Sequence, residues 1–218
     1  MSTSTTTTTT LLQTLTISTS LLASGAIASL SLLTIPLLTA LPASRSLPAT
    51  RWLFSRGSHI FPQAASISSA GFAYLAYTCI PSHTFHLVDV FSYGREVNGY
   101  LLAAALTLSI GPFTGVMIPT NFELIGRNEG RGGKRSEGSA REGGGVGKRK
   151  RSAEASVAGT GEGSEFTDLS GPQEKVEGGT EEEDERVVVL LRRFQVLNFV
   201  RAALIGAGGV VGLVVALS

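Results

Sequence analysis

Residues 111–121 read GPFTGVMIPTN and close an apolar run, with Leu124 shortly after them. Pro112, Pro119 and Asn121 therefore lie where an apolar helix is expected to meet the membrane surface. A helix that only crosses a bilayer needs a run of apolar residues, and it does not need two prolines and an asparagine at its end. A second short motif, LNFVR at residues 197–201, places Asn198 and Arg201 inside the last apolar run. The two motifs together indicate a membrane protein with a specific task.

The apolar residues of this 218-residue chain are concentrated in four blocks, and no block carries an acidic residue in its interior. A membrane-spanning helix requires about 20 mostly apolar residues, and each block meets that length. The blocks cover residues 15–38, 60–80, 97–118 and 194–217. We therefore predict an all-α fold, a four-helix transmembrane bundle with helices 1–3 in residues 15–126 and helix 4 in residues 187–218.

The chain begins with a Thr-rich stretch, and we predict that residues 1–14 form a polar tail with nothing to pack against. A cleaved signal peptide is the alternative interpretation of the first apolar block. No Lys or Arg precedes that block, and it is longer than a usual signal core, so we favour an uncleaved span. Small residues in the first and last blocks would let helices approach closely. They are Ser24, Gly25, Ala28, Ser29, Gly206, Gly208, Gly209 and Gly212.

The distribution of Lys and Arg predicts the orientation in the membrane. Basic residues lie in the connections at 41–59 and 119–193, whereas the opposite side offers only Arg95. Because cytosolic connections carry the excess of positive charge, both basic connections should face the cytosol. Both termini and the short connection at 81–96 would then be luminal. We predict a multi-pass protein of the endomembrane system, in the endoplasmic reticulum, with the lipid bilayer as its first partner.

Residues 127–186 differ from the rest of the chain. They contain fourteen glycines, eleven basic and fourteen acidic residues, and almost no large apolar side chains. Such a segment cannot bury enough apolar surface to offset the entropy of ordering, so we predict a long disordered loop between helices 3 and 4. Its basic run at 148–151 resembles a nuclear or nucleic-acid signal, but a solvated linker or attraction to anionic lipid is more typical of a membrane protein. We predict no nucleic-acid partner. The glycine-rich stretch at 143–148 lacks the spacing of a phosphate-binding loop.

Polar side chains inside the membrane are costly to bury and therefore mark candidate sites. Arg201 lies about two helical turns inside the last block, and Asn198, three residues earlier, shares its helix face. Glu123 or a bound phenolate could neutralise this arginine. The alternative is that Arg201 extends to the cytosolic headgroups and has no role in a site.

The luminal connection at 81–96 contains His83, His86 and Asp89, each three residues apart. On a helix these side chains would share one face and could bind a metal or transfer a proton. A metal site usually requires more ligands than this connection offers, so we predict no metal here and favour acid–base work by His86 or Asp89.

Two motifs carry a resemblance to a known family. PFT-x-x-M-x-PTN-x-x-L ends the third block, and LN-x-x-R lies in the fourth. With these motifs the chain resembles the fungal anthrone oxygenase family of small four-helix membrane proteins, over essentially the whole chain apart from residues 127–186. The resemblance implies oxidation of an anthrone to an anthraquinone in an aromatic polyketide pathway. It implies O2 as co-substrate and no flavin, haem or metal cofactor.

The resemblance also implies roles for particular residues. Arg201 and Asn198 would bind the oxyanion, and Asn121 and Thr120 would hold ring hydroxyls. Aromatic walls would come from Phe113, Tyr74 and Tyr77, and the base would be His86, Asp89 or Glu123. These roles are assigned to Arg201, Asn198, Asn121, Thr120, Phe113, Tyr74, Tyr77, His86, Asp89 and Glu123.

Two alternatives stay open at this point. The proline motif could be structural, with Pro119 ending the third helix and Asn121 capping the segment after it. The chain could be a non-enzymatic four-span membrane protein whose disordered cytosolic loop recruits partners. The sequence is also compatible with a homo-oligomer.

Overall fold

The computed structural model describes residues 3–80, 92–142, 152–159 and 167–218, and these residues form helices and no strand. The first segment consists of α1 (Thr3–Ser29), a π-helical stretch (Leu30–Thr34) and α2 (Ile35–Thr39). The other helices are α3 (Ala43–Thr78), α4 (Arg95–Leu108), α5 (Ile110–Gly130), α6 (Glu137–Glu142), α7 (Ala153–Val157) and α8 (Glu181–Ala216). The all-α prediction is confirmed for the described part of the chain.

Three helical segments are long and apolar enough to cross a membrane: Thr7–Thr39, Arg95–Gly130 and Glu181–Ala216. The predicted first and third spans lie inside them, and the predicted fourth span does so except for its last residue. The predicted second span lies almost wholly within α3, which is not one of the three, so the count of four spans is not confirmed. That part of α3 carries Gln63 and three serines between positions 66 and 69, which make it less apolar than the other blocks.

The helices extend further than the apolar blocks predict. Residues 43–59, expected to be part of a loop, are the first half of α3, and the N-terminal segment is already helical at Thr3. The first half of α3 is amphipathic, because Ala43, Leu47 and Thr50 recur at helical spacing and are buried. Helix α8 begins at Glu181 with four acidic residues in its first turn, where the helix dipole favours negative charge.

Pro119 lies inside α5, and the helix continues to Gly130. The expectation that Pro119 ends the third helix is therefore wrong. A proline removes one helical hydrogen bond, but membrane helices tolerate this where neighbouring groups compensate. Asn121 is accordingly an interior helix residue and not a cap.

The chain divides into two compact units. Unit 1 comprises Met1–Ser29, Phe61–Thr114 and Asn198–Ser218. Its largest apolar cluster includes Phe72, Leu75 and Tyr100, with the Phe72 and Tyr100 rings stacked at 6.4 Å.

The glycines of α8 lie against other helices of unit 1. A Cβ atom added at Gly206 would lie 2.6 Å from Ser24 Oγ, and one added at Gly212 would lie 2.2 Å from Phe72 Cε1. The prediction that these glycines serve helix packing is confirmed. Gly25 has open space around it, so this glycine does not contribute to packing.

Unit 2 comprises Leu30–Ile60 and Gly115–Leu197, and it includes the described residues of the predicted loop at 127–186. Disorder is not confirmed for these residues, because several of them are helical and make long-range hydrogen bonds. Ser156 of α7 donates to Glu129 Oε1 at 2.6 Å, and Arg51 Nη2 donates to the Ser156 carbonyl at 2.9 Å. Arg51 and Glu129 are both buried. Two buried charged side chains are thus linked through Ser156, in a segment that has few large apolar residues.

A second set of contacts in unit 2 surrounds Asp168. The Asp168 carboxylate accepts hydrogen bonds from Ser136 Oγ and from the backbone N–H of Ser170, and the Asp168 carbonyl accepts one from Arg56. The Trp52 indole N–H donates to the Ser170 carbonyl at 3.0 Å. Burial raises the pKa of Asp168, but the hydrogen bonds from Ser136 and Ser170 outweigh it and hold the pKa below its usual value.

Candidate active site

Arg201 and Asn198 form the most distinctive polar pair of unit 1. Both lie on α8, three residues apart, and both are buried, with 8% and 2% of their surface exposed. Arg201 Nη1 donates to Asn198 Oδ1 at 3.4 Å, and Asn198 Nδ2 donates to the Ile27 carbonyl at 3.3 Å. A buried guanidinium beside an amide is a strong donor set for an anion, because the surrounding helices exclude water. The prediction that these two residues share one helix face is confirmed.

Serine hydroxyls hold α8 against α1 in the same unit. Ser24 Oγ donates to the Ala202 carbonyl at 2.8 Å, and Ser20 Oγ donates to the Ile205 carbonyl at 2.9 Å. These bonds lie in the turns of α8 that follow Arg201. The position of the Arg201 backbone is therefore fixed by contacts on an adjacent helix as well as by its own helix.

Thr120 and Asn121 lie in the middle of α5, in unit 2. Thr120 is 2% exposed, and its Oγ1 has no hydrogen-bond partner within the described part of the chain. Helical threonines usually bond back to a carbonyl one turn earlier, as Thr107 does to Ala103 and Thr114 does to Ile110. The buried Oδ1 of Asn121 likewise has no partner among the described residues. These two adjacent groups are available to a bound molecule.

The predicted aromatic walls have different environments. Phe113 is partly buried in unit 1. Tyr74 and Tyr77 lie on α3 with 58% and 43% of their surface exposed. The role of Phe113, Tyr74 and Tyr77 as aromatic walls stays a prediction.

Of the three candidate bases, Glu123 is the one that lies among the described residues. His86 and Asp89 lie outside the described residues. Glu123 lies on α5, where Arg186 donates to both of its carboxylate oxygens at 3.0 Å and Arg127 donates to one of them at 3.0 Å. A carboxylate bound by two arginines is stabilised in its charged form and is a weak base. Glu123 is therefore a poor candidate for proton abstraction. No group of three or more metal-binding side chains occurs in the part of the chain that the structure describes.

Sequence reasoning missed two groups of polar residues. Gln195 Nε2 donates to the Ser31 carbonyl at 2.8 Å within unit 2, and Gln13 Nε2 donates to the Tyr100 hydroxyl at 2.8 Å within unit 1. A signal was present for Gln195, since it is an amide three residues before Asn198 at the start of an apolar block. No sequence signal identifies the group that either side chain reaches.

Comparisons with known proteins identify the family. The sequence pattern of one family, described as anthrone oxygenase, matches residues 51–211, which is well over half of the chain. The match includes both motifs and the residues of the Asn198–Arg201 pair. Comparison with curated proteins and with solved structures gave no significant match. The chain belongs to the anthrone oxygenase family.

Proposed function

We propose that this protein is a membrane-bound oxygenase that converts an anthrone-type aromatic polyketide to an anthraquinone with O2. Family membership supports the reaction class. The three apolar helical segments support a site in the bilayer, where both a flat apolar substrate and O2 partition favourably.

The chemistry suits a protein without its own redox group. An anthrone carries an acidic methylene between two aromatic rings, and its enolate is electron-rich enough to pass an electron to O2. The methylene loses two hydrogens and gains one oxygen, while the second oxygen atom leaves as water. Substrate and O2 therefore balance as product and water, and no external reductant is required. The protein has to bind the substrate, remove a proton and stabilise the oxyanion.

One observation carries the assignment of residues: the buried Arg201 beside Asn198 in the apolar part of α8. A guanidinium at this position would stabilise the enolate oxygen more strongly than it would in water. We assign Arg201 and Asn198 to oxyanion binding. Within unit 2, Thr120 and Asn121 carry buried oxygen atoms that have no partner among the described residues, and we propose these two residues as polar contacts for a bound molecule. We propose His86 or Asp89 as the base.

The test is oxygen uptake and product absorbance with emodin anthrone, in membranes from cells that express the intact protein or Arg201→Ala. Loss of an oxyanion donor typically lowers the rate by about 100-fold, and we expect a similar loss here. Arg192→Ala is the matched control, because Arg192 lies on the same helix and is exposed. It should leave the rate unchanged.

Two results would contradict the proposal. If the folded and inserted intact protein gives no rate above spontaneous autoxidation, the proposed substrate is wrong. If Arg201→Ala and Arg192→Ala behave alike while the intact protein is active, the oxyanion site lies elsewhere.

We further propose that the protein resides in the endoplasmic reticulum membrane with both termini luminal. The excess of Lys and Arg in the connections at 41–59 and 119–193 supports this orientation.

A further inference from the structure

The chain turns back on itself at the end of α5, within unit 2. The Asn128 carbonyl accepts hydrogen bonds from the backbone N–H groups of Arg131, at 3.1 Å, and Gly133, at 2.9 Å. Gly132 lies between these two donors with φ at 77°, in the left-handed region that glycine adopts without strain. Arg131 and Gly133 are therefore held beside Asn128.

The Asn128 side chain is completely buried in this turn. Its exposed fraction is 0%, and neither Oδ1 nor Nδ2 has a hydrogen-bond partner among the residues that the structure describes. The amide lies against Gly133, where an added Cβ atom would be 2.2 Å from Oδ1 and 2.4 Å from Nδ2. The missing side chain of Gly133 thus makes room for the amide. A buried amide without partners destabilises a fold, so this group is suited to a bound molecule.

Arg131 carries a second buried group of this kind. Its side chain is 10% exposed, and Nη2 donates to Glu183 Oε2 at 3.2 Å. The pair lies against the backbone of Gly179, where an added Cβ atom would be 2.1 Å from Nη2. Nη1 is buried, and no group in the described ranges accepts from it. Glu183 therefore holds one nitrogen of the guanidinium, and the other is left for a ligand.

The hydrogen-bonding capacity of these atoms specifies the ligand. Arg131 Nη1 and Asn128 Nδ2 each carry two N–H donors, and Asn128 Oδ1 is an acceptor. A single ligand that satisfies them needs several acceptor oxygens and one O–H group. A singly protonated phosphate monoester offers both, whereas a carboxylate or a sulfate ion has no hydrogen to donate. Because Glu183 shares the charge of Arg131, a monoanion also suits the site better than a dianion.

We infer that Asn128 and Arg131 form a binding site for a phosphate monoester at the end of α5. The turn lies at the end of Arg95–Gly130, a segment that is long and apolar enough to cross a membrane. A lipid headgroup and a soluble phosphate can both supply this chemistry at that level. The site lies in unit 2 and does not depend on the oxygenase assignment.

The first experiment is thermal unfolding of the full chain in detergent, with inorganic phosphate or sulfate. Phosphate at about 10 mM should raise Tm by about 3 °C, and sulfate should change it by less than about 1 °C. Asn128→Leu and Arg131→Gln should abolish the response to phosphate. Without phosphate, Asn128→Leu should be at least as stable as the intact chain, because leucine leaves no buried polar atom unpaired. Arg127→Gln is the control, since Arg127 binds Glu123 one turn earlier, and it should respond as the intact chain does.

A second experiment distinguishes the two sources of the ligand. The protein is placed in lipid discs that contain phosphatidic acid, whose headgroup is a monoester, or phosphatidylglycerol, a diester with no phosphate hydrogen. A rise in Tm with phosphatidic acid alone assigns the site to a lipid, and a rise with inorganic phosphate alone assigns it to a soluble monoester. No rise with either would overturn the inference and leave water as the occupant. Equal responses to phosphate and sulfate, or an unchanged response in Arg131→Gln, would overturn it as well.

Discussion

Among the arginines of α8, burial separates Arg201 from the others. Arg192 and Arg193 are exposed on α8, whereas Arg201 is buried beside Asn198. An arginine near a helix end can extend to the headgroups at little cost, but one held against an adjacent amide is ordered and desolvated. This difference makes Arg201 the residue on which the proposed chemistry depends.

Asp168 gives a residue-level prediction about pH. Its pKa is held below the usual value of about 3.9, so the folded state favours the carboxylate form. The stability that this carboxylate contributes is fully present above the unfolded-state pKa and is lost as the pH falls through the folded-state pKa. We expect the contacts around Asp168 to loosen below about pH 4 and to be stable at neutral pH.

Trp52 offers a direct readout of this change, because it is the single tryptophan of the chain and it donates to the Ser170 carbonyl. Its emission should shift to longer wavelength as the pH is lowered through this range. Asp168→Asn removes the titrating group and should abolish the acid transition. An acid transition of the same size in Asp168→Asn would show that another group is responsible.

At the scale of helices, two glycines allow a matched test of packing in unit 1. A Cβ atom at Gly208 would lie 2.7 Å from Thr107 Cγ2 and 2.9 Å from the Ala103 carbonyl oxygen, whereas one at Gly25 would meet nothing within 4 Å. Gly208→Ala should therefore lower Tm by about 5 °C, because backbone cannot move aside cheaply. Gly25→Ala should leave Tm unchanged or raise it, since Ala favours helix. Both values are measured by thermal unfolding in detergent, and equal effects would contradict the packing described for α8.

The sequence predicts the positions of the helices only in part. Apolar blocks locate three of the four predicted spans, because a membrane helix requires a long apolar run. They miss the polar ends of α3, α5 and α8, whose partners are distant in sequence: Arg51 and Ser156 are 105 residues apart. The pairing of Asn198 with Arg201 could be predicted because it depends on helical spacing alone. The Ile27 carbonyl, 171 residues from Asn198, could not.

For the chain as a whole, the two candidate functions depend on different polar residues. An oxygenase requires Arg201 and tolerates changes in the charged segment at 127–186, whereas a protein that recruits partners requires that segment. The described residues of the segment bind one another and the first half of α3, as Ser156 does with Arg51 and Glu129. Side chains engaged in this way are less available to a partner, which favours the oxygenase.

The number of membrane crossings can be decided by four single cysteines in a chain that lacks Cys79, its only native cysteine. The replacements are Ser4→Cys, Arg45→Cys, Ser152→Cys and Ser218→Cys. If the second half of α3 crosses the membrane, Arg45 and Ser152 lie on the same side and the two terminal positions lie together on the other. If only the three apolar segments cross, Arg45 and Ser152 lie on opposite sides, and so do the termini.

We expect four crossings, because the arginines at 45, 51 and 56 and the basic segment at 127–151 both favour the cytosol. In sealed microsomes a membrane-impermeant maleimide should therefore label positions 45 and 152 directly, and positions 4 and 218 only after permeabilisation. Labelling of position 45 but not 152 would mean that α3 stays on one side of the membrane. His86 and Asp89 would then lie on the cytosolic side with α3, and the luminal site proposed for the base would have to be abandoned.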